Sequence, residues 1–86
     1  MALTLEATLY DRNGEASEDR LFGNLNAVKG WADQEGAEAI QIYDSEGDTE
    51  SYYLKGGTRE AWYVSDPRLF HRRIERLRGK AQGAQG

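Results

Sequence analysis

The chain has no cysteine, a single histidine and a single proline among its 86 residues. The lack of cysteine excludes a disulfide framework, a thiolate zinc site and a cysteine nucleophile. His71 has no second histidine with which to share a metal, and the sequence around it does not suggest a Ser-His-Asp assembly. The segment LKGGT at 54–58 has neither the spacing nor the strand-to-helix context of a phosphate-binding loop. We therefore expect a protein that is not an enzyme and that uses no metal and no cofactor.

Long apolar segments are also missing. No run approaches the roughly 18 residues that cross a membrane, and MALTLEATLY at the N-terminus lacks the basic start and long apolar stretch of a signal peptide. We expect a soluble, cytoplasmic protein without membrane contact. A chain of this length forms one domain. Residues 1–79 are predicted to be a single α/β domain, and residues 80–86, KAQGAQG, a flexible C-terminal tail.

Acidic and basic residues are unevenly distributed along the chain. The net charge is −4 overall, but residues 1–65 carry −8 and residues 66–86 carry +4. Six of the eleven basic residues lie within DPRLFHRRIERLRGK, at 66–80. Such segregation favours an ionic partner for one part of the chain or the other.

Four segments show the period-two alternation of half-buried strands. They are ALTLEATLYDR at 2–12, AEAIQIYD at 37–44, DTESYYL at 48–54 and TREAWYVS at 58–65. Short turns join the last three segments, which predicts an antiparallel meander. In that meander we place one common set of side chains on the inner face: Ile40, Ile42, Tyr52, Leu54, Trp62 and Val64.

Two further segments have helical periodicity. SEDRLFGNLNAVKGWADQEG is predicted to form a helix from the N-cap Ser17 to the stop at Gly36. Asp66 and Pro67 are a suitable cap and first residue for a second helix, which is predicted to end at Gly79. The resulting order β-α-β-β-β-α predicts an α/β fold of the α+β type. We expect a two-layer sandwich, in which both helices cover one face of a four-stranded mixed sheet.

The C-terminal helix carries a ridge of arginines. On a helical wheel Arg68, Arg72 and Arg76 lie opposite the apolar stripe, so the ridge is predicted to point away from the acidic body. Arg73 and Arg78 flank the apolar stripe, within reach of the body. The ridge is a candidate site for phosphate or for an acidic partner surface. The alternative is a solvated helix face, because arginine is a good helix former.

Tyrosines make a second candidate surface. If both helices cover one face of the sheet, the alternation places one tyrosine from each strand on the open face, and tyrosine is enriched at protein interfaces. The alternative is an exposed sheet stabilised by cross-strand aromatic pairs. The candidate partner-binding residues of this face are Tyr10, Tyr43, Tyr53, Tyr63, Lys55 and Arg59.

The turn DSEGDTE makes a third candidate surface, which is acidic. Its alternate acids resemble a calcium loop only superficially, because Thr49 and Lys55 stand where the pattern needs Gly and Glu. A solvated hairpin is the simpler interpretation, and its acids are available to a basic partner. The candidate residues are Asp44, Glu46, Asp48 and Glu50.

These surfaces favour a non-enzymatic protein-binding module. Its most concrete form is a small acidic inhibitor that occludes a nucleic-acid-handling machine, with acids in place of phosphates. Phage-encoded inhibitors of bacterial defence, anti-CRISPR proteins among them, are of this size and charge, although no family motif is present in the chain. The alternative is a nucleic-acid-binding protein that uses the arginine-rich helix. A pI near 4.9 opposes that alternative.

Overall fold

The computed structural model describes residues 2–56 and 61–83 of the chain. Seven elements follow one another in the described residues, and they make the protein α+β. They are β1 Leu5–Tyr10, β2 Arg20–Phe22, α1 Leu25–Glu35, β3 Ala39–Asp44, β4 Thr49–Gly56, β5 Ala61–Ser65 and α2 Pro67–Gly83. The first part of the predicted fourth strand, residues 58–60, lies outside the described residues.

The strands form one five-stranded sheet in the order β2-β1-β3-β4-β5, and every neighbouring pair is antiparallel. The predicted meander of β3, β4 and β5 is confirmed. The prediction of a four-stranded mixed sheet is wrong, because β1 pairs antiparallel with both β2 and β3. The helix α1 instead links β2 to β3, which lie on either side of β1.

The predicted first helix is partly wrong, because it begins too early and includes a short strand. Arg20–Phe22 pairs with β1, and α1 begins only at Leu25, after the N-cap Asn24. The Asn24 side chain accepts a hydrogen bond of 2.9 Å from the Ala27 N–H. Ser17, the predicted cap, instead accepts from the Leu9 N–H at 2.9 Å and so extends the pairing beside β1. The predicted end is confirmed, since Gly36 caps α1 with φ of 69°.

The two helices lie on opposite faces of the sheet, which contradicts the predicted two-layer sandwich. We name the faces after them. Leu9, Ile40 and Tyr53 share a cross-strand row on the α1 face, and the adjacent row on the α2 face is Tyr10, Ala39, Leu54 and Tyr63. Each face has its own apolar cluster, so the architecture has three layers. At the start of the central strand β3, Ala39 and Ile40 are both buried although they lie on opposite faces, as expected for a strand between two layers.

The core is therefore divided by the sheet. On the α1 face, Val28 and Ala32 pack against β1 and β3. On the α2 face, Phe70 and Ile74 pack against β3 and β4, and the Phe70 ring lies 4.8 Å from that of Tyr52. Phe70 is 1% exposed. The prediction of one common inner face for the meander is therefore wrong. Ile40 and Ile42 belong to the cluster on the α1 face, and Leu54 belongs to the cluster on the α2 face.

The C-terminal helix is longer than predicted. Asp66 caps it as expected, since its side chain accepts from the Leu69 N–H at 2.8 Å. The helix continues through Gly79 to Gly83, so the predicted stop at Gly79 is wrong and residues 80–83 are helical. One glycine costs a helix about 1 kcal/mol relative to alanine, and the good helix formers around Gly79 offset it. Residues 84–86 lie outside the described residues.

The loop after β1 docks on the C-terminal half of α2. Gly14 is buried with φ of 77°, and its carbonyl accepts a hydrogen bond of 2.9 Å from the Arg78 Nε–H. This contact confirms that Arg78 reaches the protein body.

Among the described residues, no helix is long and apolar enough to cross a membrane.

Candidate partner-binding surfaces

The predicted tyrosine face is only partly assembled. Tyr10, Tyr43 and Tyr63 lie on the α2 face, but Tyr53 and Lys55 lie on the α1 face, because Ile40 is opposite Tyr53 in the sheet. Tyr52 takes the place predicted for Tyr53. Arg59 lies outside the described residues. The α2 face is also not open throughout, since α2 covers the row that contains Tyr10.

Tyr53 and Lys55 have other surroundings on the α1 face. The Lys29 ammonium lies 5.5 Å from the Tyr53 ring, and the Lys55 ammonium lies 5.9 Å from the Trp62 ring. Both distances are within the range of cation–π contacts. These two side chains therefore belong to the rim around α1, and they are separated from the other tyrosines by the sheet.

The part of the α2 face beyond the helix carries an acidic row. Glu6, Tyr43 and Glu50 lie side by side on β1, β3 and β4. Strand spacing is about 4.8 Å, so the two glutamates stand roughly 10 Å apart with Tyr43 between them. Leu21 continues the row on β2 and is 53% exposed. We call Leu21, Glu6, Tyr43 and Glu50 the acidic row.

Tyrosine hydroxyls hold the carboxylates at the end of this face. The Tyr43 hydroxyl donates to Asp48 at 2.8 Å, and the Tyr52 hydroxyl donates to Glu50 at 2.7 Å. The bond to Asp48 raises the pKa of Tyr43, with smaller contributions from desolvation and neighbouring carboxylates. The bond to Glu50 likewise raises the pKa of Tyr52, aided by burial. Both shifts thus result mainly from these two hydrogen bonds.

The predicted acidic hairpin is divided between the faces. Asp44 ends β3 on the α1 face and accepts from the Glu46 N–H at 3.0 Å. Glu50 lies on the α2 face, opposite Tyr43. Asp48, at the turn, adopts φ of 50° and leans toward Tyr43. The structure thus brings Glu50 and Asp48 to the same part of the sheet as Glu6. Glu6 lies 44 residues from Glu50 in the sequence, so local spacing could not reveal this grouping.

An arginine groove lies on the other side of α2. It is a pocket of about 140 Å³ whose floor and walls are Leu54, Tyr63, Leu69, Arg72, Arg73 and Arg76. The four helical residues have the i, i+3, i+4, i+7 spacing of one helix face. This spacing is visible in the sequence, next to the apolar stripe that contains Phe70 and Ile74, and it could have indicated the groove. We keep the name arginine groove for these six residues.

The predicted ridge is therefore only partly correct. Arg72 and Arg76 line the groove together with Tyr63 of the sheet, whereas the prediction had them pointing away from the body. Arg68 is exposed and does not line the groove. Arg73 reaches the body as expected, and its Nη1 donates to the Lys55 carbonyl at 3.4 Å. Because α2 packs across the sheet, arginines that flank its apolar stripe lie close to the neighbouring strands β4 and β5.

Sequence reasoning missed one further cavity. A pocket of about 300 Å³ lies between the loop after β1 and the C-terminal half of α1, and three carboxylates and an indole border it. Among its lining residues are Asp11, Glu15, Glu35 and Trp31. Asp11 already accepts from the N–H groups of Asn13 and Glu15, at 2.8 and 3.0 Å. Its carboxylate therefore organises the loop.

No protein-family model matches the chain, and neither a curated protein nor a solved structure matches it significantly. Within residues 2–56 and 61–83, no group of three or more His, Asp or Glu side chains is arranged to hold a metal ion. The function must therefore be inferred from the surfaces of the chain itself.

Proposed function

We propose that this protein is a non-enzymatic binding module that docks its acidic row onto a basic surface of another protein. The observation that carries the proposal is the row itself. Glu6 and Glu50 flank the 37%-exposed Tyr43 on the part of the sheet that α2 does not cover. The carboxylates are complementary to lysine and arginine, and the Tyr43 ring with Leu21 supplies apolar area to bury.

Rigidity supports the proposal. The row stands on four hydrogen-bonded strands, and the hydroxyls of Tyr43 and Tyr52 restrain the neighbouring Asp48 and Glu50 carboxylates. A surface that is ordered before binding loses less conformational entropy on association. Fixed carboxylates also attract a cationic surface during the encounter, which raises the association rate.

The most concrete form of the module is an inhibitor of a nucleic-acid-handling protein. Proteins that bind nucleic acid present dense basic patches, and a net charge of −4 suits a chain that competes for such a patch. The acids would stand where phosphates normally bind. By size and charge the protein is comparable to anti-defence proteins of the anti-CRISPR type.

A second candidate function is direct nucleic-acid binding through the arginine groove. The observation that favours it is the grouping of three guanidinium groups around Tyr63, which suits a phosphate and a stacked base. Against it, the acidic row lies on the same face, on the other side of α2, and repels a continuous nucleic-acid backbone. We therefore rank protein binding first.

The test is affinity capture with matched charge variants. The wild type, the Glu6→Gln/Glu50→Gln double variant and the control Glu18→Gln are immobilised, and bacterial lysate is passed over each, once with and once without nuclease treatment. Captured proteins are identified by mass spectrometry. Glutamine keeps an acceptor for the Tyr52 hydroxyl, so the double variant should retain the native melting temperature while it loses negative charge.

The proposal predicts a nucleic-acid-binding protein that wild type and Glu18→Gln retain and the double variant loses. Adding the wild type should then block nucleic-acid binding by that protein. Equal capture by all three chains would contradict a role for the acidic row. Capture that disappears with nuclease treatment would favour the second candidate instead.

A further inference from the structure

We infer that the free edge of β5, together with the arginine groove, binds an extended peptide with alternating acidic and apolar side chains. The peptide would add to the sheet as a sixth strand beside β5. This site lies across α2 from the acidic row and does not depend on the function proposed for that row.

The edge of β5 lacks the features that normally block strand addition. Within residues 2–56 and 61–83, β5 ends the sheet order, and Ala61–Ser65 pairs with β4 along one side only. Natural edge strands are commonly protected by charged residues, prolines or bulges. None of the five residues of β5 is charged or a proline, and Val64 is 72% exposed. No strand of the described residues pairs with the outer side of β5, so its backbone N–H and C=O groups there can pair with an added strand.

The two faces beside this edge differ in chemistry, which specifies the peptide. On the α2 face Tyr63 borders the arginine groove, with Arg72 and Arg76 on the adjacent helix. On the α1 face the exposed Val64 lies beside the half-buried Trp62. Successive side chains of a strand point to opposite faces. A peptide paired with β5 therefore places every second residue near the arginines and the others near Val64.

The groove is shaped to receive an acidic side chain. The Tyr63 ring packs over Gly56, where an added Cβ would lie 2.9 Å from the tyrosine Cδ1. That contact holds the ring at the groove wall. Leu69, 48% exposed, forms the outer rim. A carboxylate can accept from the guanidinium groups of Arg72 and Arg76 in this groove, and such charge-assisted hydrogen bonds are stronger than neutral ones.

A second copy of the chain is a poorer occupant. Antiparallel pairing of β5 with β5 of another copy keeps corresponding faces of both sheets on the same side. The two α2 helices would then face each other across the new pair, with the arginines of both grooves adjacent. Like charges oppose that arrangement. Charge complementarity therefore favours an acidic peptide from a different protein.

The test uses a labelled seven-residue peptide of alternating valine and glutamate, with matched peptides that carry lysine or serine in place of glutamate. Binding is followed by fluorescence anisotropy, and amide exchange at 61–65 is followed by NMR. The Arg72→Gln/Arg76→Gln variant is compared with the control Arg68→Gln, which changes an arginine outside the groove. Melting curves verify that each variant is folded.

The inference predicts binding of the glutamate peptide, slower exchange of β5 amides and a loss of about tenfold in affinity for the groove variant alone. Equal binding of the serine or lysine peptide would overturn it, as would binding that leaves β5 exchange unchanged. Absence of binding, or preference for a β5-mediated dimer, would also overturn it. Stronger binding of a single-stranded oligonucleotide at the same arginines would assign the groove to nucleic acid.

Discussion

The division of the core by the sheet predicts that mutations in the two helices act independently. Val28 in α1 is fully buried, and Ile74 in α2 is 4% exposed. They belong to separate apolar clusters, one on each face of the sheet. Mutations that share no partner and lie more than about 7–10 Å apart are additive within about 0.5 kcal/mol. We therefore expect no coupling between Val28→Ala and Ile74→Val.

The size of each effect follows from burial. Val28→Ala removes two buried methyl groups, worth about 0.8 kcal/mol each, and leaves a small cavity, so it should cost about 2 kcal/mol. Ile74→Val removes one methylene and should cost about 1 kcal/mol. The double variant should lose about 3 kcal/mol. A chain of 86 residues has about 4–13 kcal/mol of stability, so it should remain folded.

The assay is urea unfolding, followed by tryptophan fluorescence and circular dichroism. A double-mutant cycle then gives the coupling energy. Phe70→Leu with Ile74→Val is the positive control, because both side chains lie in the cluster on the α2 face. That pair should couple by about 0.5 kcal/mol or more. A coupling above that value between Val28 and Ile74 would refute the three-layer arrangement and favour a single shared core.

Three further predictions concern stability. Gly14→Ala should lower the free energy of unfolding by about 2–4 kcal/mol in urea, because φ is 77° and the new Cβ would lie 3.0 Å from the Ile74 carbonyl oxygen; wild-type stability would show that the loop is not docked. Because the pKa of Tyr52 is raised in the folded state, its hydroxyl ionises first in the unfolded chain, so stability should be full below about pH 10 and fall as the pH rises through the folded pKa. Tyr52→Phe should reduce that alkaline loss in melting curves, and an unchanged loss would contradict the hydroxyl's role. Asp33→Ala should cost about 1 kcal/mol in urea unfolding, because Asp33 accepts a 2.8 Å bond from the Trp62 indole; no change would show that this bond does not hold α1 to β5.

Local signals predicted the elements that depend on local chemistry. Alternation identified β1, β3 and β4, and the cap at Asp66 and the stop at Gly36 were correct. The strand β2 was missed because three residues are too few for a period-two pattern. Its Leu21 also lies four residues before Leu25, so the helical stripe seemed to extend backwards through it.

Face assignment failed for a reason that local patterns cannot resolve. Both β3 and β4 alternate, but their relative faces depend on the register of the hairpin between them. In the structure Asp44 pairs with Thr49, so Ile40 pairs with Tyr53. A shift of one residue would put Ile40 opposite Tyr52, on the common face that was predicted for them, and would move every side chain of β4 to the other face. The acidic row and the arginine groove both follow from this register.

The most direct test of the proposed function is a contact map of the protein with its captured partner. Hydrogen exchange is measured for the free protein and for the complex. We predict slower exchange at residues 43–50, at the end of β3 and the start of β4, and loss of that protection in the Glu6→Gln/Glu50→Gln variant. Protection confined to α2 and β5, with 43–50 unchanged, would contradict binding through the acidic row.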